Sequence, residues 1–267
     1  VAGEAGVPPV IWAMLISVGA GTVLYLAMLA RKERLGLNAG HLRYYAISAA
    51  ISYAIPNMIT LSAMPHLGAG YMGIMYTLSP MFTLILSVIF GVRKPNALGM
   101  AGIVVGFLCA LLVATTRGEA GFPASLTWVG IGILLPIFLA AGNIYRSWDW
   151  PKGAGTTELA VGSHLAAGIM LLVVAIMTGN LPDLAMLAEV PALSIAQILS
   201  SAGMFVFFFR LQVVGGPVYL SQISYVAAAI AIISGTLLLG ESYVFLTWIG
   251  AVIILAGVVL TTKAQTS

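Results

Sequence analysis

Residues 70–116 read GYMGIMYTLSPMFTLILSVIFGVRKPNALGMAGIVVGFLCALLVATT, and residues 216–262 read GPVYLSQISYVAAAIAIISGTLLLGESYVFLTWIGAVIILAGVVLTT. Both stretches begin after a small-residue turn, at Gly68 and at Gly215, and both close their first apolar run on a glycine, Gly91 or Gly240. Each then carries Gly-x6-Gly, at Gly99/Gly106 and at Gly250/Gly257, and ends in Thr-Thr. Glycines recur in membrane helices because they permit close backbone approach, but shared landmarks in a shared order indicate an internal repeat.

Working outward, the whole chain has the same apolar character. Of its 267 residues 61% are hydrophobic and 7% charged, with a mean hydropathy of +1.07. A soluble domain carries about 25% charged residues because its surface meets water. Here 11 Lys+Arg and 8 Asp+Glu cannot cover the outside of a 27.8 kDa protein, so the outer surface meets lipid. The single cysteine, Cys109, excludes an internal disulfide framework. The first apolar run has no basic stretch ahead of it and does not read as a signal peptide.

A helix needs roughly 20 apolar residues to cross the hydrocarbon layer. Nine segments qualify: Pro8–Ala30, Tyr44–Ala63, Gly70–Phe90, Pro95–Thr116, Leu126–Tyr145, Leu159–Met177, Ala192–Phe209, Pro217–Leu239 and Tyr243–Thr262. Turn chemistry at Met64-Pro65-His66-Leu67-Gly68 divides the second from the third, and Val213-Val214-Gly215-Gly216-Pro217 divides the seventh from the eighth. The runs are continuous rather than alternating, which selects helices over a barrel.

Sorting the connections by side places Arg31, Lys32, Arg34, Arg43, Arg93, Lys94, Arg146, Lys152, Arg210 and Lys263 together, against Arg117 alone. Positive residues collect on the cytoplasmic side, so the C-terminus is expected in the cytoplasm. Trp12, Trp128 and Trp248 then anchor outer ends, and Trp148 and Trp150 an inner one. The basic surplus is a topology signal, and no nucleic-acid partner is expected. With this layout the two quoted stretches cross in opposite directions, so the repeat is inverted. The expected division is 1–116, a repeat with four helices, and 117–267, a repeat with five. A further helix is expected ahead of Val1, which makes ten crossings in all.

His41-Leu42-Arg43-Tyr44-Tyr45, Ile55-Pro56-Asn57, Leu78-Ser79-Pro80 and Leu239-Gly240-Glu241 with Gly250-x6-Gly257 resemble the EamA-type branch of the drug/metabolite transporter superfamily. The resemblance covers essentially the whole chain, as helices two to ten of a ten-helix fold. It implies an all-α membrane protein of two inverted five-helix bundles around a cavity, alternating access, and export or exchange of amino acids or similar metabolites across the inner membrane. Gly91-Val92-Arg93 departs from the family's usual Gly-Glu, and Ser224-Tyr225 stands where a proline is common.

Polar side chains inside a membrane are costly and usually face a partner or a water-filled cavity. Tyr53, Asn57 and Thr60 fall on one helical face, with Pro56 loosening the helix beside them. Met75, Tyr76 and Ser79, together with Met72, form a stripe that ends at Pro80. The counterpart helix carries Tyr219, Ser221, Gln222 and Tyr225. Methionines and tyrosines with a few polar handles suit a small amphipathic solute, although a methionine stripe alone is more often helix packing. His164 is the only ionisable group placed deep in a span, as a solute ligand or as a neutral histidine bonded to a neighbour. Asn143, Arg146 and Arg210 lie near inner helix ends, where a long side chain snorkels to the interface. Substrate-binding candidates are therefore Tyr53, Asn57, Met75, Tyr76, Ser79, His164, Tyr219, Gln222 and Tyr225, with Pro56 and Pro80 as conformational ones.

The chain lacks H-E-x-x-H, G-x-S-x-G, the phosphate-binding G-x-x-x-x-G-K-[ST] and buried paired carboxylates, so no catalytic, metal or cofactor site is expected. Nor does a filter-like loop or charged ring suggest a channel. The reading is a secondary transporter of a small solute, as a monomer or homodimer, with a carrier of nucleobases, amines or sugars as the alternative and an intramembrane enzyme as the rival from another class. If His164 takes part, transport by His164→Gln will show an altered pH profile in vesicles; an unchanged profile removes it from the mechanism.

Overall fold

A computed structural model describes residues 6–92 and 126–227, with isolated helical positions beyond them. The segments expected over Pro95–Thr116 and Tyr243–Thr262, and the landmarks at Gly99, Gly106, Gly240, Gly250 and Gly257, lie outside the continuously described residues. The described elements are α1 (Pro9–Ala30), α2 (Ala39–Ser48), a π-turn (Ala49–Ala54), α3 (Ile55–Thr77), α4 (Ser79–Ile89), α5 (Leu126–Trp148), α6 (Thr156–Met177), a 3₁₀ segment (Leu181–Glu189) and α7 (Pro191–Ser221). No strand occurs among the described residues. Five of these stretches are long and apolar enough to cross a membrane: Pro9–Ala30, Ala39–Leu67, Leu126–Trp148, Thr156–Met177 and Pro191–Ser221. Met75–Ile89 is a shorter apolar helix. Large apolar side chains remain on the outside, among them Phe207 at 73% exposure and Ile169 at 65%, as a lipid-facing shell requires. The chain is an all-α, multi-pass membrane protein.

The turn expected at Val213–Pro217 is present. Gly216 leaves the helix at φ 73°, ψ −177°, a conformation that a Cβ disfavours, and Pro217 follows inside the new helical stretch. The turn expected at Met64–Gly68 is not formed as drawn. Helical backbone is assigned through it and Pro65 lies inside α3. Proline deletes one amide donor, and in a membrane helix the freed carbonyl can be satisfied locally.

The contacts divide the chain into two compact units, residues 1–62 with 145–214 and residues 63–144 with 215–267. Each unit takes residues from both sides of position 116.

In the first unit α1 lies antiparallel on α6, Gly21 meeting Leu165 and the Cβ of His164 while Gly168 meets Val18. Tyr45 of α2 packs flat on Gly162, where an added Cβ would stand 2.3 Å from its ring. Tyr44, Tyr53, Leu159, Val161, Phe205 and Phe209 close the core around them. At the opposite end, Val10, Ile11 and Trp12 pack with Leu171 and Ala175, and Met186 and Leu187 of the 3₁₀ segment cover that floor.

A polar knot ties the basic end of this unit. Asn38 caps α2 by accepting from the His41 amide at 3.1 Å, and Glu158 reaches back to the Gly155 amide at 3.2 Å to cap α6. Glu158 also accepts from the Gly36 amide at 2.8 Å and stands 3.2 Å from His41 Nε2. Arg43 forks onto Asp149, its Nε lying 3.1 Å from Oδ2, and the Tyr145 hydroxyl donates to the same oxygen at 2.6 Å.

In the second unit His66 stacks on Trp128 at 4.0 Å between ring centroids, Met75 approaches Gly132, and Asn143 donates to Thr83 at 3.3 Å. These contacts advance together along both partners, so the later part of α3, continued by α4, runs in the same direction as α5. Two helix breaks here share one pattern. Leu78 N–H bonds Met75 O and Met81 N–H bonds Leu78 O, while Gln222 N–H bonds Tyr219 O and Tyr225 N–H bonds Gln222 O.

Substituting Gly162→Ala should destabilise the folded protein by about 1–3 kcal/mol, because the ring of Tyr45 must give way in a packed core. A reversible unfolding measurement in detergent checks it; Gly203→Ala, with open space around it, should be close to neutral.

Candidate functional site

The π-turn comes directly before Pro56 for a local reason. Pro56 has no amide hydrogen to return to the carbonyl four residues back, and its ring crowds that carbonyl, so the backbone widens by one residue over Ala49–Ala54. The Ile55 amide accordingly reaches Ala50 O. Ser52 and Tyr53 stand on this widened turn, both buried.

Tyr53 stacks at a tilt on His164 with 4.2 Å between ring centroids, and His164 lies 3.8 Å from the Phe205 ring. Phe205 meets Tyr53 edge-on at 5.5 Å. His164 is held on α6 by the close approach of Gly21 behind it. It is fully buried, and neither ring nitrogen has a hydrogen-bond partner among the described residues; nor has the Tyr53 hydroxyl. A neutral imidazole carries one donor and one acceptor. Leaving such groups buried without partners costs about 1–3 kcal/mol each.

Arg146 is the residue that sequence position misplaces. A basic side chain in the last turn of a spanning helix is expected to snorkel to the interface, yet Arg146 is only 1% exposed. Its guanidinium donates to Ser52 Oγ. Its Cζ lies 4.8 Å from the centre of the Phe208 ring and 5.9 Å from that of Tyr53. His164 is therefore not the only buried ionisable group in the spans. The signal missed is that Ser52, Tyr53 and Phe208 sit on other helices, out of reach of any local reading. Arg210, by contrast, is exposed, and Asn143 is buried against Thr83.

The remaining candidates are placed as follows. Asn57 is half-buried one turn after Tyr53, and Pro56 is buried beside it. In the second unit Met75, Ser79, Gln222 and Tyr225 are buried, and Tyr76 and Tyr219 half-buried. Pro80 occupies the first turn of α4, where a missing amide costs no helical bond. The Tyr225 hydroxyl donates to Ile103 O at 3.1 Å, which anchors that side chain. Tyr219 folds over Gly215, where a Cβ would stand 2.2 Å from its ring. Gln222 sits in the helix break with neither amide atom partnered among the described residues. Tyr53 and His164 are thus brought together in one unit, and Tyr219, Gln222 and Tyr225 occupy one helical stretch of the other.

Aligned with known proteins, the sequence matches the EamA-like transporter family over residues 3–115 and again over residues 126–263. The chain belongs to the EamA-like transporter family. It is 27% identical over 272 residues to the inner membrane transporter YedA of Escherichia coli strain K12, an alignment covering 97% of this chain and 83% of that protein. The YedA of Escherichia coli O157:H7 matches to the same extent. A crystal structure with 16% identity superposes with a TM-score of 0.65 over 99% of this chain and 91% of its own, a likeness of fold. This EamA-like protein is accordingly a membrane transporter of the drug/metabolite type, with a buried arginine against aromatic rings and a buried imidazole that has no hydrogen-bond partner among the described residues.

Proposed function

We propose that the protein is a secondary transporter that moves a small polar or amphipathic metabolite, an amino acid or related compound, across the inner membrane by alternating access, in export or exchange, with its C-terminus in the cytoplasm. The observation that supports this most is the buried His164–Tyr53 pair, whose ring nitrogens and hydroxyl have no hydrogen-bond partner among the described residues. Polar groups held in that state at membrane depth mark solute pathways, because a solute satisfies them during its passage. The aromatic rings of Phe205 and Phe208 supply apolar walls beside them. The π-turn before Pro56 gives the helix that carries Tyr53 a local weakness, suited to a segment that changes shape as the cavity changes side. The paired breaks at Leu78 and Gln222 offer the same freedom in the second unit, and they lie in the two stretches that the inverted repeat expected from the sequence would make equivalent.

Counterflow in proteoliposomes tests the reading. Vesicles loaded with unlabelled solute should accumulate the labelled form of at least one L-amino acid, and His164→Ala should reduce the rate by tenfold or more. No accumulation across amino acids, nucleobases, amines and sugars would contradict the carrier reading. Accumulation confined to a class other than amino acids would keep the carrier and overturn the substrate.

A further inference from the structure

We infer that His41 and Glu158 form a proton-dependent latch, which holds the loop between α1 and α2 against the start of α6 while the imidazole carries hydrogen on both nitrogens, and releases it when one is lost. Its effect on transport rests on the transporter reading; the latch itself does not.

The contacts of the ring carry the inference. Nδ1 of His41 lies 2.8 Å from Asn38 Oδ1, and Nε2 lies 3.2 Å from Glu158 Oε1. Both oxygens are already fixed as acceptors by backbone amides, which only donate. Asn38 Oδ1 accepts from the His41 amide at 3.1 Å, and Glu158 Oε1 accepts from the Gly36 amide at 2.8 Å. A neutral imidazole has one N–H and one lone pair. In either neutral tautomer one ring nitrogen therefore turns a lone pair towards an oxygen that is itself an acceptor. The imidazolium donates on both sides and satisfies both oxygens. The proton that closes the second contact belongs on the ring, because imidazole is a stronger base than carboxylate.

The surroundings leave this pair to act as a unit. Glu158 is the one charged group within ion-pair distance of the ring among the described residues. From α2 itself, Tyr45 meets the ring edge-on at 6.1 Å between centroids, and its hydroxyl donates to Glu158 Oε1 at 3.4 Å. Arg43 is committed to Asp149 beyond the end of α5, where Tyr145 bonds the same carboxylate. Arg31, Lys32, Glu33 and Arg34 of the loop are exposed, as is Lys152 ahead of α6. Gly36 has no room for a side chain, since an added Cβ would stand 2.5 Å from His41 Cδ2 and 2.6 Å from Glu158 Oε1. The loop backbone is thus drawn in against the pair, while Glu158 Oε2 holds the Gly155 amide on the α6 side at 3.2 Å.

α2 leads into the π-turn that carries Ser52 and Tyr53, and α6 carries His164. A latch that joins the starts of these two helices governs how α2 stands against α6, and so how Tyr53 meets His164. When rising pH takes one ring hydrogen away, a charge-assisted bond is replaced by opposed lone pairs. The loop and the start of α2 are then released. The proton supply at the basic end is thereby coupled to the buried site.

The test follows the ring and the loop together, on the full chain in detergent. Nitrogen NMR of isotope-labelled histidine distinguishes the imidazolium from either neutral tautomer. Amide exchange across the loop, corrected for the intrinsic effect of pH, reports whether Gly36 is held. His41 is assigned by the signal lost in His41→Gln, or by elimination in His66→Gln and His164→Gln if that variant does not fold. The second ring hydrogen and the protection of Gly36 should be lost over the same pH range, exchange at Gly36 rising roughly tenfold or more as a bond to a charged group gives way. In His41→Gln, and in Glu158→Gln, protection should not vary over that range. A ring with one hydrogen throughout would overturn the inference, and so would a Gly36 amide that stays protected after the second hydrogen has gone. In counterflow with a solute that the protein carries, the wild-type rate should change over the same range and the His41→Gln rate should not. A pH profile that His41→Gln leaves unaltered would overturn the coupling to transport. Counterflow with no solute at all would contradict the transporter reading and leave the latch measurements standing.

Discussion

Gly21, Gly162 and Gly168 let α6 come into contact with α1 and α2, and the position of everything polar in the first unit depends on that approach. In lipid there is little hydrophobic gain from bringing two helices together, because the acyl chains are as apolar as the side chains they replace. What favours association is close packing, and close packing needs residues without bulk at the crossing. With Gly168 against Val18 and Gly21 behind His164, the helices meet at backbone distance. The imidazole is thereby pushed forward against Tyr53 and Phe205. The Tyr45 ring on Gly162 sets the height of α2 in the same way, and α2 leads into the widened turn that carries Ser52 and Tyr53.

From that scaffold follows a division of labour between the two levels of the unit. At the basic end, Glu158, His41 and Asn38, and separately Arg43, Asp149 and Tyr145, bond to one another and to free amides. These groups are satisfied, and they tie the loops. In the core, His164 and Tyr53 have polar atoms without a hydrogen-bond partner among the described residues. The contrast is between the capped starts of α2 and α6 and the polar atoms of His164 and Tyr53, which have no partner among the described residues. That contrast, rather than any one residue, is what supports the proposed solute site.

Much of this was legible in the sequence, and the rest was not for definable reasons. Apolar runs of membrane length gave α1, α5 and α6 within a few residues, since hydropathy reports on lipid exposure directly. The break at Gly216 was legible because a glycine pair followed by proline is local turn chemistry. Met64–Gly68 looked similar and is helical, because one proline is compatible with helix when its freed carbonyl finds another partner. The 3₁₀ segment Leu181–Glu189 falls between two expected spans, too short and too mixed to show a period. His164 and Tyr53 stood out as polar residues in apolar runs. Arg146 did not, because two positions from a helix end it resembled an interfacial anchor, and its burial comes from Ser52, Tyr53 and Phe208 on other helices.

The central claim is that the buried cluster of Tyr53 and His164 is reached by solute and water rather than sealed as packing. Cysteine chemistry tests it directly, since Cys109 is the single native cysteine. In a Cys109→Ser background, Ser52→Cys is exposed in membrane vesicles to a membrane-impermeant, hydrophilic thiol reagent. The account predicts labelling of the folded protein, slowed by a solute that the protein transports. A thiol that stays inert until the protein is unfolded would contradict it.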